Sequence, residues 1–178
     1  MFGIKRKIRE WLSLDKYPIA WYMQNGLRLG KNVSLISVPN FGSEPYLISI
    51  GDNTTISFDC AFITHDAATR VIRNLPDGNP ETVIYGPIKI GNNCFIGARS
   101  TILAGVTIGD NSIVGACSLV NRDIPANVVA AGNPCRVICT LDEYRKKHEK
   151  DFLYMVNLPF EEKKHYLLNH FNIPFNYE

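Results

Sequence analysis

The sequence predicts an all-β core in which the chain winds as a three-sided parallel β-helix, with short α-helices before and after it. Three observations carry this reading: β-branched residues recurring every six positions, a small residue at a fixed place in each repeat, and glycine or asparagine where one repeat passes into the next. Framed on Ile90, the aliphatic positions are Ile90, Ile96, Ile102, Ile108, Val114 and Val120. Glycine follows at Gly91, Gly97, Gly109 and Gly115, and small residues stand four places on at Cys94, Ser100, Val106, Ser112 and Ser118. An α-helix repeats every 3.6 residues and a strand every two, so neither yields a period of six. A chain that turns a corner every six residues does. Three short strands then complete one coil, and equivalent positions stack on neighbouring coils. The aliphatic residue points into the prism, the small one fits the narrow corner, and Gly91-Asn92-Asn93 or Gly109-Asp110-Asn111 takes the turn.

Taken in order, residues 1–24 form an N-terminal helical segment. Ile4, Ile8, Trp11 and Leu12 fall at helical spacing among Lys5, Arg6, Lys7 and Arg9. Such a helix more often packs on its own domain; peripheral contact of residues 1–14 with a membrane surface is the alternative. The coils cover residues 25–140. A faint first repeat holds Leu29, Val33 and Leu35, and a clear one holds Ile50, Ile56 and Phe62 with small Thr54 and Cys60. The rhythm then stops for a loop insertion at about 66–87 and resumes at Ile88. A C-terminal helical extension occupies 141–178. Thr140-Leu141-Asp142-Glu143 reads as a capping box opening a helix to Val156, and Pro159 in a first turn opens another over Glu161–His170. Those helices are expected to cover the coil stack, because terminal repeats need capping.

Composition narrows the function by exclusion. A chain of 178 residues suffices for one sizeable core, and a net charge of +2 points to no particular partner. Basic residues neither cluster with aromatics nor form a stripe, which argues against nucleic-acid binding. No run approaches the roughly 18 apolar residues of a membrane span, and no secretory leader is visible. Five cysteines without a CxxC fit a reducing, cytoplasmic setting. Cys60 and Cys94 occupy the small inward slot as core filler, and nothing near Cys117 marks an activated thiolate.

His65 is the only histidine in the coils, and the insertion begins beside it. A lone histidine is commonly structural. Here it is the one coil residue of the type suited to proton transfer near neutral pH, and a long loop in a compact domain is usually functional. A smooth prism has no cleft, so a projecting loop is one way to build one. A zinc site needs three converging ligands; with His65 alone in the coils, no metal is expected. That disfavours a metal enzyme on the same prism, such as the γ-class carbonic anhydrases.

The stretch "IKIGNNCFIGARSTILAGVTIGDNSIVGACSLVNRDIPANVVAAGNPCRVI", Ile88 to Ile138, resembles the hexapeptide-repeat acyltransferases, whose fold is a left-handed parallel β-helix. The likeness extends over about Leu27 to Thr140. It is greatest to the galactoside and maltose O-acetyltransferases and to the sugar acetyltransferases of polysaccharide biosynthesis. The resemblance implies acetyl-CoA as acyl donor, a carbohydrate acceptor, a homotrimer with sites between subunits, and direct transfer with His65, after Thr64, as general base. It places the donor on Ala98 and Ala116, one coil apart, then on Asn121, Arg122 and Arg136. The N–H of Ala98 is the candidate oxyanion donor. Two departures from the family pattern stand out: Asn121-Arg122 in place of the usual Thr-Lys is a mild change, and Cys139 in place of a basic residue implies fewer phosphate contacts. On the acceptor side the candidates are Asp66, Arg70, Arg73 and Glu44, the arginines suiting an acidic acceptor such as a sugar nucleotide. Asp66 or Asp59 is the candidate for orienting His65. The alternative from another class is a non-catalytic β-helix scaffold or binding module.

Overall fold

The computed structural model describes residues 18–174, so the charged segment expected to form the N-terminal helix lies outside the described residues, apart from its end. That end is a short helix, α1 (Ile19–Gln24), which leads into the coils. The first coil holds β1 (Arg28–Leu29), β2 (Ser34–Leu35) and a bridge at Asn40. The second holds β3 (Ile48–Ile50), β4 (Thr55–Ile56) and β5 (Ala61–Phe62). Next comes the excursion: β6 (His65–Asp66), α2 (Thr69–Arg73) and β7 (Ile84–Tyr85). The third coil is β8 (Ile88–Ile90), β9 (Phe95–Ile96) and β10 (Thr101–Ile102), and the fourth is β11 (Thr107–Ile108), β12 (Ile113–Val114) and β13 (Leu119–Val120).

Pairing runs between coils, never within one. The three walls are β1-β3-β8-β11, β2-β4-β9-β12-β14 and β5-β10-β13, parallel throughout. Each wall stacks the repeating aliphatics in register: Ile50, Ile90 and Ile108 on the first, Ile56, Ile96 and Val114 on the second, Phe62, Ile102 and Val120 on the third. All are buried, most of them completely. Stacked aliphatics removed from water supply the main stabilisation of such a prism, at about 25 cal/mol per Å² of apolar area. The second wall ends in β14 (Val128–Ala131), to which β15 (Arg136–Thr140) pairs antiparallel, a hairpin that closes this end of the ladder.

Corner chemistry explains the composition. Asn32, Asn53, Asn93, Asn111 and Asn127 all adopt positive φ at equivalent corners, a conformation asparagine tolerates better than most residues. Their side chains form ladders up the edge, Asn93 to Asn111 at 2.8 Å and Asn111 to Asn127 at 3.0 Å. The small slot is also polar for a reason. Thr54, Ser100 and Ser112 donate to the carbonyls of Gly91, Gly115 and Pro125 in the following coil. The thiols of Cys60 and Cys94 make the same contact more weakly, to Gly97 and Gly109. Burial raises both thiol pKa values, so these cysteines are inert core residues.

The chain divides into two compact units, one ending at Tyr144 and one beginning at Arg145. The capping box forms: Glu143 Oε2 accepts from the Thr140 N–H at 2.8 Å, and Thr140 Oγ1 accepts from the Glu143 N–H at 3.2 Å. The helix it opens, α3 (Leu141–His148), is shorter than the expected run to Val156 and passes into a 3-10 turn at Glu149–Asp151. The last helix, α4 (Phe160–His170), starts one residue earlier than expected, with Pro159 as N-cap. Among the described residues no helix is long and apolar enough to cross a membrane.

Candidate active site

One edge of the prism, between the third wall and the first, carries the irregularities of the winding: two lengthened corners and, at Val120–Ile124, one shortened by two residues. From the first to the second coil the chain takes three residues more than the repeat there, including a 3-10 turn at Pro45–Leu47. From the second to the third it makes the long excursion that starts at His65. Being the same corner in successive coils, the two segments lie one above the other. The residue that the first presents to the second is Glu44.

Glu44 Oε2 lies 2.9 Å from His65 Nδ1 and accepts a hydrogen bond from Thr64 Oγ1 at 2.7 Å, while Oε1 accepts from Ser43 Oγ at 2.7 Å. Glu44 and Thr64 are buried. Burial opposes ionisation of Glu44, yet the hydrogen bonds from Ser43, Thr64 and His65, with the charge the imidazole can carry, outweigh it and hold the carboxyl below its ordinary value. A carboxylate only accepts, so Nδ1 of the imidazole donates to it and Nε2 keeps the free lone pair. The His65 side chain is 36% exposed, which leaves that nitrogen open to a substrate. Glu44 thus does what was expected of Asp66 or Asp59. Asp66 instead accepts from the Ala68 N–H at 2.8 Å and starts the turn into α2, and Asp59 pairs with Arg99 at 3.8 Å. Asp59 stands at the edge between the second and third walls, a wall away from the ring, and Asp66 spends its carboxylate on the turn into α2.

The excursion is a built structure. Thr69 is buried and donates to the Asp66 carbonyl at 2.9 Å. Arg73 Nε donates to the Thr82 carbonyl, tying the outgoing arm to the returning one. Arg73 therefore has a structural task within the loop, whereas Arg70 is exposed. The returning strand β7 pairs antiparallel with β6, setting Tyr85 opposite His65 with ring centroids 5.9 Å apart. Ser43 and Tyr85 were not singled out from sequence, and Thr64 was named only as the residue before His65. A signal for Ser43 existed in the extra residues at the corner one coil before His65.

The expected donor residues gather elsewhere. Register of β10 with β13 sets Ala98 beside Ala116 one coil on, at the edge between the second and third walls. The Cys117 N–H donates to the Ala98 carbonyl at 2.8 Å, while among the described residues the Ala98 N–H has no hydrogen-bond acceptor. The two alanines lie one above the other at this edge, Ala98 half-buried and Ala116 exposed. Gly97 and Gly115 permit the tight stacking: a Cβ on Gly97 would stand 2.4 Å from the Ala116 nitrogen. At the end of the stack Arg136 Nη1 donates to the Cys135 carbonyl at 2.7 Å and lies 3.4 Å from Asn121 Oδ1, so Asn121 steadies this arginine. Arg122 and Arg136 are exposed. One whole wall of the prism separates Ala98 from His65 within the chain. A single copy does not bring the two together. Among the described residues no three His, Cys, Asp or Glu side chains converge as metal ligands.

A wound prism with an acid-oriented imidazole at one edge and a cation-ended methyl track at another defines a class, the repeat-wound enzymes of acyl transfer. Comparisons with known proteins agree. Residues 80–122 match the bacterial transferase hexapeptide family (six repeats). The chain is 44% identical over 148 residues to Protein CapG of Staphylococcus aureus, covering 82% of this chain and 84% of that protein. It is 39% identical over 134 residues to the galactoside O-acetyltransferase of Escherichia coli K12, covering 74% of this chain and 62% of the relative. A solved structure of a galactoside acetyltransferase in complex with coenzyme A superposes with a TM-score of 0.51 at 27% identity, covering 86% of this chain and 85% of that one. The chain belongs to the hexapeptide-repeat acyltransferases, close to their sugar O-acetyltransferases.

Proposed function

We propose that this protein transfers an acetyl group from acetyl-CoA to a hydroxyl, or an amine, of a sugar or of a sugar-containing polysaccharide precursor. The observation that carries the reading is the Glu44–His65 pair: a buried carboxylate at 2.9 Å fixes the tautomer of a half-exposed imidazole at the start of the long excursion from the coils. His65 Nε2 takes the proton of the acceptor hydroxyl as its oxygen attacks. Glu44 holds the ring in place and offsets the positive charge it gains, and the imidazolium then returns the proton to the departing thiol sulfur. General base catalysis of this kind contributes about 10²–10⁴-fold. The donor supplies an activated acetyl thioester. Ala98 and Ala116 are suited to passing its slender arm and Arg122 and Arg136 to its phosphates, with the Ala98 N–H directed to the developing oxyanion. No residue needs to form a covalent bond to the acetyl group.

The hand of the coils is read as left, by likeness to the family. The separation of the Ala98 edge from the His65 edge supports a site shared between copies of the chain, in a homotrimer, with His65 from one and the methyl track from its neighbour. Arg70 remains a candidate for meeting an acidic acceptor.

The test is thiol release from acetyl-CoA by the purified protein over a panel of sugars and sugar nucleotides, comparing wild type with His65→Ala. Acceptor-dependent release lost by at least 100-fold in the variant, with circular dichroism unchanged, is the expected result. Equal release by both proteins overturns the role of His65, and no release with any acceptor favours a scaffold.

A further inference from the structure

The excursion returns beside its own starting point and brings an aromatic ring with it. His65 and Tyr85 are partners in the β6–β7 ladder, so their side chains leave the same face of the hairpin. The rings meet edge-on, 62° between planes and 5.9 Å between centroids. The base of the hairpin is pinned: the Gly86 N–H donates to the Thr64 carbonyl at 2.9 Å, and a Cβ on Gly86 would stand 2.5 Å from the Gly105 nitrogen. Tyr85 is therefore held, yet the residue is 54% exposed. A tyrosine ring is a large apolar surface that ordinarily finds cover. Here it is a fixed, uncovered wall beside the catalytic base.

The imidazole adds a direction. Nδ1 is committed to Glu44, so a group that gives up a proton must approach Nε2. We propose that Tyr85 is the acceptor platform: a cyclic saccharide lays the apolar C–H face of its ring on the phenol ring and so presents one hydroxyl to His65 Nε2. The proposal rests on the sugar acetyltransferase reading above and adds what recognises the sugar. Because the hairpin holds the ring before any ligand arrives, little side-chain freedom is lost on binding. The platform favours closed-ring acceptors over open-chain polyols, since an acyclic chain has no flat C–H face to stack.

The probes are methyl β-galactopyranoside and the acyclic galactitol, with wild type, Tyr85→Ala and Tyr85→Phe, each checked for wild-type thermal unfolding. In the thiol-release assay, Tyr85→Ala is expected to raise the KM for the galactopyranoside roughly tenfold. The KM for acetyl-CoA and turnover of galactitol should move less than about twofold. Tyr85→Phe, which keeps the ring, should restore the galactopyranoside KM. A Tyr85→Ala variant whose two acceptors change in parallel, or not at all, overturns the platform. Saturation-transfer difference NMR of the galactopyranoside reads the same contact without turnover. Ring C–H signals present with wild type and Tyr85→Phe and lost with Tyr85→Ala support the platform even if no acetyl is transferred, in which case only the acetyltransferase reading fails. Signals equal in wild type and Tyr85→Ala, or absent with wild type, overturn it.

Discussion

Replacing Glu44 by glutamine keeps the shape of the side chain and removes its charge. In the wild type its Oε2 accepts from Thr64 and His65 at 2.7 and 2.9 Å. Glutamine can still offer one oxygen there, but a hydrogen bond to a charged group contributes about 1.5–3 kcal/mol against about 0.5–1.5 kcal/mol for a neutral one. The difference, about 1 kcal/mol, weakens the hold on the ring. A second effect acts only as the reaction proceeds. When the imidazole takes the acceptor proton, wild type gains the attraction of opposite charges, ~4 kcal/mol at 4 Å and an effective dielectric of 20. Solvent reaching the half-exposed ring cuts this to about 1–2 kcal/mol. Together they amount to about 2–3 kcal/mol, a fall in kcat of roughly 30- to 150-fold. The KM for acetyl-CoA should hardly change, because the donor residues lie at another edge. Steady-state thiol release at saturating acceptor measures both quantities. A Glu44→Gln protein with kcat within twofold of wild type, where His65→Ala is inactive, refutes the orienting role. The same carboxylate has a pH signature. Its folded-state pKa lies below the ordinary value of about 4.5, so the native state binds fewer protons than the unfolded one. Its stabilisation is complete above about 4.5 and is lost as pH falls through the lower folded value. Chemical denaturation at stepped acidic pH should therefore show a flatter stability profile for Glu44→Gln than for wild type in that window.

Two further outcomes test the prism and the shared site. Ile102 is fully buried between Phe62 and Val120 on the third wall, so Ile102→Ala should cost about 3 kcal/mol and lower Tm by roughly 10 °C in a thermal melt; a loss under about 1 kcal/mol contradicts the stacked column. Co-expressing His65→Ala with Ala116→Trp, each inactive alone, should restore about a quarter of wild-type activity if neighbouring copies complete the site. No recovery from verified mixed oligomers places the whole site in one chain.

The fold was legible because each repeat states it again. One isoleucine followed by glycine says little, but Ile90, Ile96, Ile102 and Ile108 with Gly91, Gly97 and Gly109 demand a corner every six residues, and the walls stack in that register. His65 was legible for the opposite reason, as the residue at which the repetition fails. The partner of His65 was not. Twenty-one residues of chain separate it from Glu44, and Asp59 and Asp66 are nearer in sequence. Proximity along the chain is a poor guide where every coil returns to the same corner, and the decisive neighbour is one coil away.

By itself the sequence determined what repeats: the period, the inward aliphatics, the small hydroxyl or thiol slot, the asparagine corners and the point of interruption. These are local demands of backbone conformation and burial, written into each turn. Only the tertiary structure decided which corner lies over which, and so which acid meets the imidazole and that Tyr85 stands beside it. It also decided that the Ala98 edge lies a wall away from His65. Those relations depend on how many residues each irregular corner consumes, a sum that becomes a position in space only once the coils have stacked.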